Sequence, residues 1–320
     1  MRRLSLIFVL CGGCGLGLFD DAGGGNRNLP TLGAGPYAKP ELDFDTLADE
    51  PYVLDADAQL RDPAVLHRDD GGFRIWLGRE PDNQPQQSEI WYAELASIHD
   101  LAERGPEQIL VPDQAWEETR VAAPAVVDAG DRLVMYYEGG VTARAIGRAE
   151  STDGGFIWTK DAGPVLEGAT EPTAARLPDG SWVLFVTRTD QPGIFRADSA
   201  DGVNFTVADL PAVAARPDQA TAFDRYAVSD PFLIVRETAA GQLHWGLFFN
   251  GLARNDDVAI GFAGSFDGLA WERFGGPDPV LHPGAPVENG PAVVLEPARG
   301  YLFFDERSQS RQKITVAVHP

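Results

Sequence analysis

Cysteine is nearly absent from this chain of 320 residues: Cys11 and Cys14 are the only two, and both lie near the N-terminus. The rest of the chain therefore forms no internal disulfide and offers no cysteine ligands for a zinc or iron–sulfur site. Histidine is also scarce, and its five copies show no metal-ligand spacing. No Gly-rich phosphate-binding loop precedes a helix, so we expect neither a metal nor another cofactor.

Positive charge is in short supply, with 26 Lys and Arg against 48 Asp and Glu and a formal net charge of −22. A chain with this balance does not attract phosphate backbones or anionic lipids through its overall field. Nucleic acid is therefore not an expected partner, and membrane contact is expected only through an N-terminal lipid anchor.

Apolar runs of membrane-spanning length are missing as well. Two arginines precede the short apolar run Leu4–Leu10, which is typical of a secretory signal. The small pair Gly12-Gly13 before Cys14 resembles a bacterial lipobox, although Cys11 stands where that motif usually carries leucine. We predict a signal over residues 1–14, lipidation of Cys14, and export to the periplasm or the cell surface; ordinary secretion is the alternative.

The following segment, residues 15–45, is rich in Gly, Asp, Asn and Pro. Such a composition favours a flexible tether between an anchored cysteine and a folded domain. The folded domain is predicted to cover residues 46–320.

Within that domain, short extended runs that begin with a proline recur five times, and the preceding residue is often acidic. The prolines stand 48 to 61 residues apart, at Pro63, Pro124, Pro172, Pro231 and Pro291. A repeat of this length, made only of strands, predicts an all-β fold, a five-bladed β-propeller with one blade per repeat. The fifth repeat has only three strands, so a strand within residues 42–53 is expected to close the ring.

A second motif, Ser-x-Asp-Gly followed by an aromatic residue, recurs at Ser151–Trp158, Ser199–Phe205 and Ser265–Trp271. It resembles the Asp-box of sialidases. The aspartate is predicted to accept backbone N–H bonds in a tight turn while the aromatic ring packs between strands. Because such turns lie on blade rims, a structural role is preferred to a functional one.

Several runs together resemble a known group of five-bladed propellers, glycoside hydrolase families 43, 32, 68 and 130. They are the Asp-Pro starts, YYEGG at 136–140, LFFNG at 247–251, and the Ser-x-Asp-Gly repeats followed by Pro-Val-Leu. The resemblance covers about residues 46–320. It implies a base or nucleophile from blade one at Asp62 and a general acid from blade three at Glu171. The blade-two acid of these families falls on Ala123, which carries no carboxylate.

Glycoside hydrolysis requires one carboxylic acid to protonate the leaving oxygen and a second carboxylate to activate water or attack the sugar. Acids at equivalent strand positions of different blades meet at the funnel of a propeller. Asp230, before Pro231 in blade four, is therefore predicted as an auxiliary carboxylate that replaces the missing acid. An aspartate before proline also commonly bonds a neighbouring backbone N–H, and that structural role remains open for each acid.

Further polar residues near the starts or ends of strands are candidates for binding substrate, with surface ion pairs as the alternative. They are Arg61, Arg120, Glu138, Arg225 and Glu288. Trp76 and Trp116 are candidates for stacking on sugar faces, whereas Trp182 and Trp245 lie within strands and are expected to pack in the core.

The sequence leaves two main functional hypotheses open. The first is a glycoside hydrolase acting on an oligosaccharide, with Glu171 as acid, Asp62 as base and Asp230 as auxiliary carboxylate. The second is a propeller without catalytic activity that binds glycan or protein partners, which the absence of an acid at Ala123 favours. A sialidase, suggested by the Asp-boxes, is a third and weaker alternative, since it requires six blades and a cluster of three arginines.

Overall fold

The computed structural model describes residues 45–46, 57–84, 86–97, 104–238, 241–254, 257–274, 276–280, 288–295, 300–308 and 311–319. The predicted signal, Cys14 and all but the last residue of the predicted tether lie outside these ranges. No helix of the described residues is long and apolar enough to cross a membrane.

The described chain forms five antiparallel sheets, arranged as the blades of a propeller, which confirms the predicted fold. Blade one contains β2 (Ala58–His67), β3 (Phe73–Pro81), β4 (Glu89–Leu95) and β5 (Arg104–Leu110). Blade two contains β6 (Val121–Asp128), β7 (Leu133–Gly139), β8 (Ala145–Ser151), β9 (Thr159–Lys160) and β10 (Leu166–Glu167). Blade three contains β11 (Ala169–Arg176), β12 (Trp182–Arg188), β13 (Ile194–Ser199) and β14 (Thr206–Val207).

Blade four contains β15 (Ala227–Glu237), β16 (Leu243–Arg254), β17 (Asp257–Ser265) and β18 (Glu272–Arg273). Blade five contains β19 (Glu288–Leu295), β20 (Gly300–Ser308), β21 (Arg311–His319) and, as its outermost strand, β1 (Asp45–Thr46). The first strand thus closes the ring against β21, as the three-stranded fifth repeat predicts. A single 3-10 turn, Ala115–Glu117, is the one helical element of the described residues.

Five apolar clusters, one between each pair of neighbouring blades, hold the ring together. Alternation along each strand produces this arrangement, because successive side chains point to opposite faces of a sheet. In β7, for example, Met135 and Tyr137 pack against blade one, whereas Val134 and Tyr136 pack against blade three. The apolar run of β7 therefore fills two interfaces at once.

The tryptophans belong mainly to this core. Trp182 and Trp245 pack between blades, as predicted. Trp76 is fully buried as well, which makes the sugar-stacking prediction wrong for this residue. Trp116 stacks on Tyr137 with ring centroids 6.0 Å apart.

Candidate active site

The five inner strands share one irregularity in their first half, a one-residue β-bulge at the residue before the proline. Each inner strand shifts register by one residue against the second strand at this point. The bulged residues all have positive φ: Asp62 (49°), Ala123 (45°), Glu171 (52°), Asp230 (46°) and Gly290 (59°). The proline that follows suits the bulge, because proline has no N–H to donate to a ladder.

The bulges bring three acids from distant parts of the sequence to one cavity. A central cavity of about 360 Å³ is lined by Asp62, Glu171 and Asp230, together with Ala123 and Gly290. At the bulges, blades one, three and four therefore each contribute a carboxyl group, whereas blades two and five carry Ala123 and Gly290 there.

Glu171 and Asp230 are in direct contact. The backbone N–H of Asp230 donates to Oε2 of Glu171 at 3.1 Å. Nδ2 of Asn250 donates to Oδ2 of Asp230 at 2.6 Å and also lies 3.3 Å from Oδ1 of Asn289. The two acids of blades three and four are thus oriented by one another and by an amide of the second strand of blade four.

Asp62 has a different partner, a buried carboxyl group that the sequence did not reveal. Its backbone N–H donates to Oδ2 of Asp305 at 3.2 Å. Asp305 is fully buried in β20, and Nε2 of Gln312 donates to its Oδ1 at 2.9 Å. A Cβ on Gly290 would lie 2.9 Å from Cα of Asp62, so glycine permits this close approach of blades five and one.

The feature that identifies Asp305 as a site residue is its pairing position on the second strand, not a local sequence motif. Asp305 pairs with the residue before the bulge of its blade, and Glu138 and Asn250 occupy the same place in blades two and four. The second strands of blades two, four and five thus place polar side chains beside the bulged residues. Neither an Asp-Pro pair nor a turn marks this position in the sequence.

The environment raises the pKa values of three of these carboxyl groups. Burial, and then the charge of Asp305, raise the pKa of Asp62 to about 7. Burial, and then the charges of Glu171, Asp62 and Asp305, raise the pKa of Asp230 well above its ordinary value. Burial raises the pKa of Asp305 to about 6 against the opposing charge of Arg61. The cluster therefore keeps protons at a pH where isolated aspartates have lost them.

A ladder of alternating charges lies beside the acids, at the ends of strands of blades one and two. Nε of Arg61 lies 3.0 Å from Oε2 of Glu80, and Nη1 of Arg120 lies 2.6 Å from Oε1 of the same glutamate. Nε of Arg120 donates to Oε1 of Glu138 at 3.0 Å, and Nη1 of Arg144 donates to that same oxygen. Three of the predicted binding residues, Arg61, Arg120 and Glu138, thus belong to one network.

The two remaining predicted binding residues have different positions. The guanidinium carbon of Arg225 lies 5.4 Å from the ring centroid of Tyr226, an exposed side chain, and Arg225 does not line the central cavity. The backbone of Glu288 begins β19, but its side chain lies outside the described residues. Within the described ranges, no group of three or more Asp, Glu, His or Cys side chains is placed to hold a metal ion.

The Asp-boxes lie away from this site and have the predicted turn structure. In each one the serine hydroxyl donates to the aspartate, and the aspartate accepts two backbone N–H bonds. Each box also contacts the preceding blade through a glycine carbonyl, which accepts a hydrogen bond from Trp76, Tyr136 or Arg196.

Comparison with solved structures identifies the class of fold. The propeller is similar to a member of the GH130 family of mannoside phosphorylases, which contains glycoside hydrolases that target β-1,2-mannosidic linkages in Candida mannan. That match has a TM-score of 0.64 at 16% identity, over 86% of this chain and 93% of the other.

Two further structures match in the same way. An α-L-arabinofuranosidase from Lactobacillus brevis has a TM-score of 0.63 at 14% identity, over 83% of this chain and 92% of the other. A thermostable family-43 glycoside hydrolase has a TM-score of 0.61 at 16% identity, over 86% and 91%. No protein-family model and no curated protein sequence matches the chain. The chain therefore has the five-bladed propeller fold of GH43- and GH130-type glycoside hydrolases.

Proposed function

We propose that the protein is a glycoside hydrolase that cleaves an oligosaccharide by acid/base chemistry between carboxyl groups of the central cavity. The observation that carries the proposal is the convergence of Asp62, Glu171 and Asp230 on one cavity through equivalent bulges. The fold hosts such enzymes, and fold alone does not assign a reaction. The clustered carboxyl groups supply what hydrolysis needs, a protonated acid beside an ionised base.

The pKa values favour a particular division of roles. Asp230 has its pKa raised strongly, so it is the group that holds a proton for the leaving oxygen. Asp62, with a pKa of about 7, is partly ionised at neutral pH and acts as the base or nucleophile. Glu171 accepts the N–H of Asp230, and its charge helps to keep Asp230 protonated. This proposal exchanges the roles that the sequence alone suggested for Glu171 and Asp230.

Leaving-group dependence tests these roles directly. An enzyme that lacks its general acid still cleaves glycosides whose leaving group needs no proton, whereas loss of the base slows every substrate. We expect Asp230→Asn to lose about a hundredfold or more in kcat/KM on oligosaccharides but to retain cleavage of dinitrophenyl glycosides. Asp62→Asn should lose both activities. Arg132→Gln, at the opposite end of blade two, is the matched control and should change neither.

The alternative function is a propeller that binds glycan without cleaving it, and Ala123 is the observation that favours it. Binding of oligosaccharides, with no turnover of oligosaccharides or activated glycosides by the folded wild-type protein, would establish this alternative. Equal losses in Asp230→Asn on both substrate classes would instead retain the hydrolase and reject Asp230 as its acid.

A further inference from the structure

The charge ladder beside the cavity has more positive than negative members. It consists of Arg61, Glu80, Arg120, Glu138 and Arg144, three guanidinium groups against two carboxylates. Its two ends are the accessible members, with 37% of the Arg61 side chain and 33% of the Arg144 side chain exposed. The central members are much less exposed. The inner members of the ladder are therefore shielded from solvent, and the guanidinium groups of Arg61 and Arg144 at its two ends are accessible to a ligand.

Many donors of the ladder remain available. Each guanidinium carries five N–H donors, and the contacts with Glu80 and Glu138 engage only four nitrogens of the three arginines. Arg61 approaches Glu80 through Nε, and Arg144 donates to Glu138 through Nη1. Burial, and then the charge of the neighbouring Arg120, lower the pKa of Arg144 against the opposing charges of Glu171 and Glu80.

The site as a whole is electrically polarised. Carboxyl groups come from blades one, three, four and five, at Asp62, Glu171, Asp230 and Asp305. At the bulge of blade two stands Ala123, and the arginines Arg120 and Arg144 belong to the same end of that blade. On the blade-two side of the funnel, a negatively charged ligand therefore contacts guanidinium groups, and the bulged residue there carries no carboxylate.

We propose that this side of the funnel is a subsite for the carboxylate of a uronic acid residue in the glycan. The inference rests on the proposed function, because it concerns the glycan that the same cavity takes. A planar carboxylate matches the paired N–H groups of a guanidinium, which also makes such contacts shorter and stronger than neutral ones. Arg144 binds the carboxylate, and Glu138 and Arg120 hold Arg144 in position.

The test compares binding of uronate-containing oligosaccharides with binding of their carboxyl-reduced, neutral counterparts, by calorimetry with the full-length wild-type protein. We expect the acidic ligand to bind at least about tenfold more tightly, which is the contribution of one charge-assisted hydrogen bond. Added salt should reduce this preference, because screening weakens an ionic contact at an accessible site. Equal affinities for the two ligands, or no binding of either one, would overturn the proposal.

Two variants locate the subsite. Arg144→Gln should reduce the preference for the acidic ligand about tenfold and leave the neutral ligand unaffected. Ala123→Asp introduces a carboxylate where Asp62 and Asp230 show that the same backbone accommodates one, and it should reduce the preference by a similar factor. Arg132→Gln removes an arginine of comparable exposure from the other end of blade two and should leave the preference unchanged. A preference that survives both variants would contradict the assignment.

Binding of other anions is measured in the same experiment. Inorganic phosphate and sulfate, titrated alone and as competitors, distinguish a site for any oxyanion from one for a sugar carboxylate. Displacement of the acidic ligand by phosphate at comparable concentration would overturn the uronate assignment. Because every measurement is of binding, it can be repeated in Asp62→Asn. A carboxylate preference in wild-type protein that turns over none of the substrates would retain the subsite while rejecting the hydrolase.

Discussion

The backbone conformation of four residues other than glycine is the most unusual local feature of the molecule. Asp62, Ala123, Glu171 and Asp230 all have positive φ and all precede proline, which normally pushes the residue before it into extended conformations. Strain of this kind persists where the surrounding fold imposes it, and it clusters at functional sites. Ala123 has the same strained backbone but no carboxyl group, so the packing of the blade, and not an acidic side chain, imposes the bulge.

Asp305 is expected to set the ionisation of Asp62. Its charge is the second largest cause, after burial, of the raised pKa of Asp62. Asp305→Asn removes the charge and keeps an oxygen that accepts the Asp62 N–H. We expect the pKa of Asp62 to fall from about 7 toward its ordinary range, and the acid limb of the kcat/KM profile to move to lower pH. Carboxyl ¹³C NMR titration measures the same shift without relying on activity.

A purely structural role for Asp305 would change the amount of folded protein and not the titration of Asp62. Asp209→Asn, an exposed aspartate in a loop of blade three, is the control for removing one negative charge. An unchanged Asp62 titration in a folded Asp305→Asn protein would contradict the assignment.

At the scale of single elements, the Asp-boxes connect neighbouring blades. The box of blade three illustrates how: Ser199 and Asp201 organise the turn, and the carbonyl of Gly202 accepts a hydrogen bond from the hydroxyl of Tyr136 at 2.8 Å. Phe205 of the same box packs edge-on against Tyr136, with ring centroids 5.7 Å apart. The turn thus anchors blade three on the core of blade two.

Loss of the Asp201 carboxylate should destabilise this connection in a pH-dependent way. Backbone N–H bonds from Asn204 and Val203 hold the pKa of Asp201 below its usual range. Such a group stabilises the fold above its unfolded pKa near 4, and the contribution is lost as the pH falls. We expect Asp201→Ala to lower Tm by roughly 2–4 °C at pH 7 and by less near pH 3, as measured by calorimetry.

The isosteric Asp201→Asn keeps an acceptor oxygen without the charge and serves as the matched control. Its Tm at pH 7 should lie between those of wild type and Asp201→Ala. A Tm difference between wild type and Asp201→Ala that does not change with pH would show that the carboxylate charge contributes nothing.

Sequence reasoning predicted the elements whose signals are local and missed those that depend on pairing. Proline starts, Asp/Gly turns and the Ser-x-Asp-Gly motif repeat along the chain, so the blades, the Asp-boxes and the closing strand could be predicted. Asp305 and Arg144 join the site only through register across strands, at Asn289↔Asp305 and next to Gly139↔Ala145. No periodicity marks either residue, which explains why the site was only partly predicted.

At the scale of the whole molecule, ring closure joins the two ends of the folded chain. β1 pairs with β21 through Asp45↔Val318 and Thr46↔Ala317, so the last blade is completed by the first strand. An apolar cluster fills the interface between blades five and one, as at the other four interfaces. This closed ring brings the half-buried Asp62 and the fully buried Asp305 together.

That confinement should make the protein less stable as the pH rises from about 4 to 7. In the unfolded chain aspartates ionise near pH 4, whereas Asp62 and Asp305 keep their protons to about pH 7 and about pH 6. Over this interval the native state binds more protons than the unfolded state, so the free energy of unfolding decreases with rising pH. The half-buried Asp62 accounts for a decrease in the free energy of unfolding on the order of 1–3 kcal/mol over this interval.

Asp62→Asn should remove part of this pH dependence. Asparagine preserves the shape and tolerates positive φ, so any general effect on stability is the same at every pH. We expect the Tm of the variant to exceed that of wild type by a few degrees more at pH 8 than at pH 4. Asp209→Asn, whose side chain is exposed, should show no such difference. Parallel Tm profiles for wild type and Asp62→Asn would mean that Asp62 ionises in the folded protein as it does in the unfolded chain, and the acid/base pair proposed for the cavity would lose its basis.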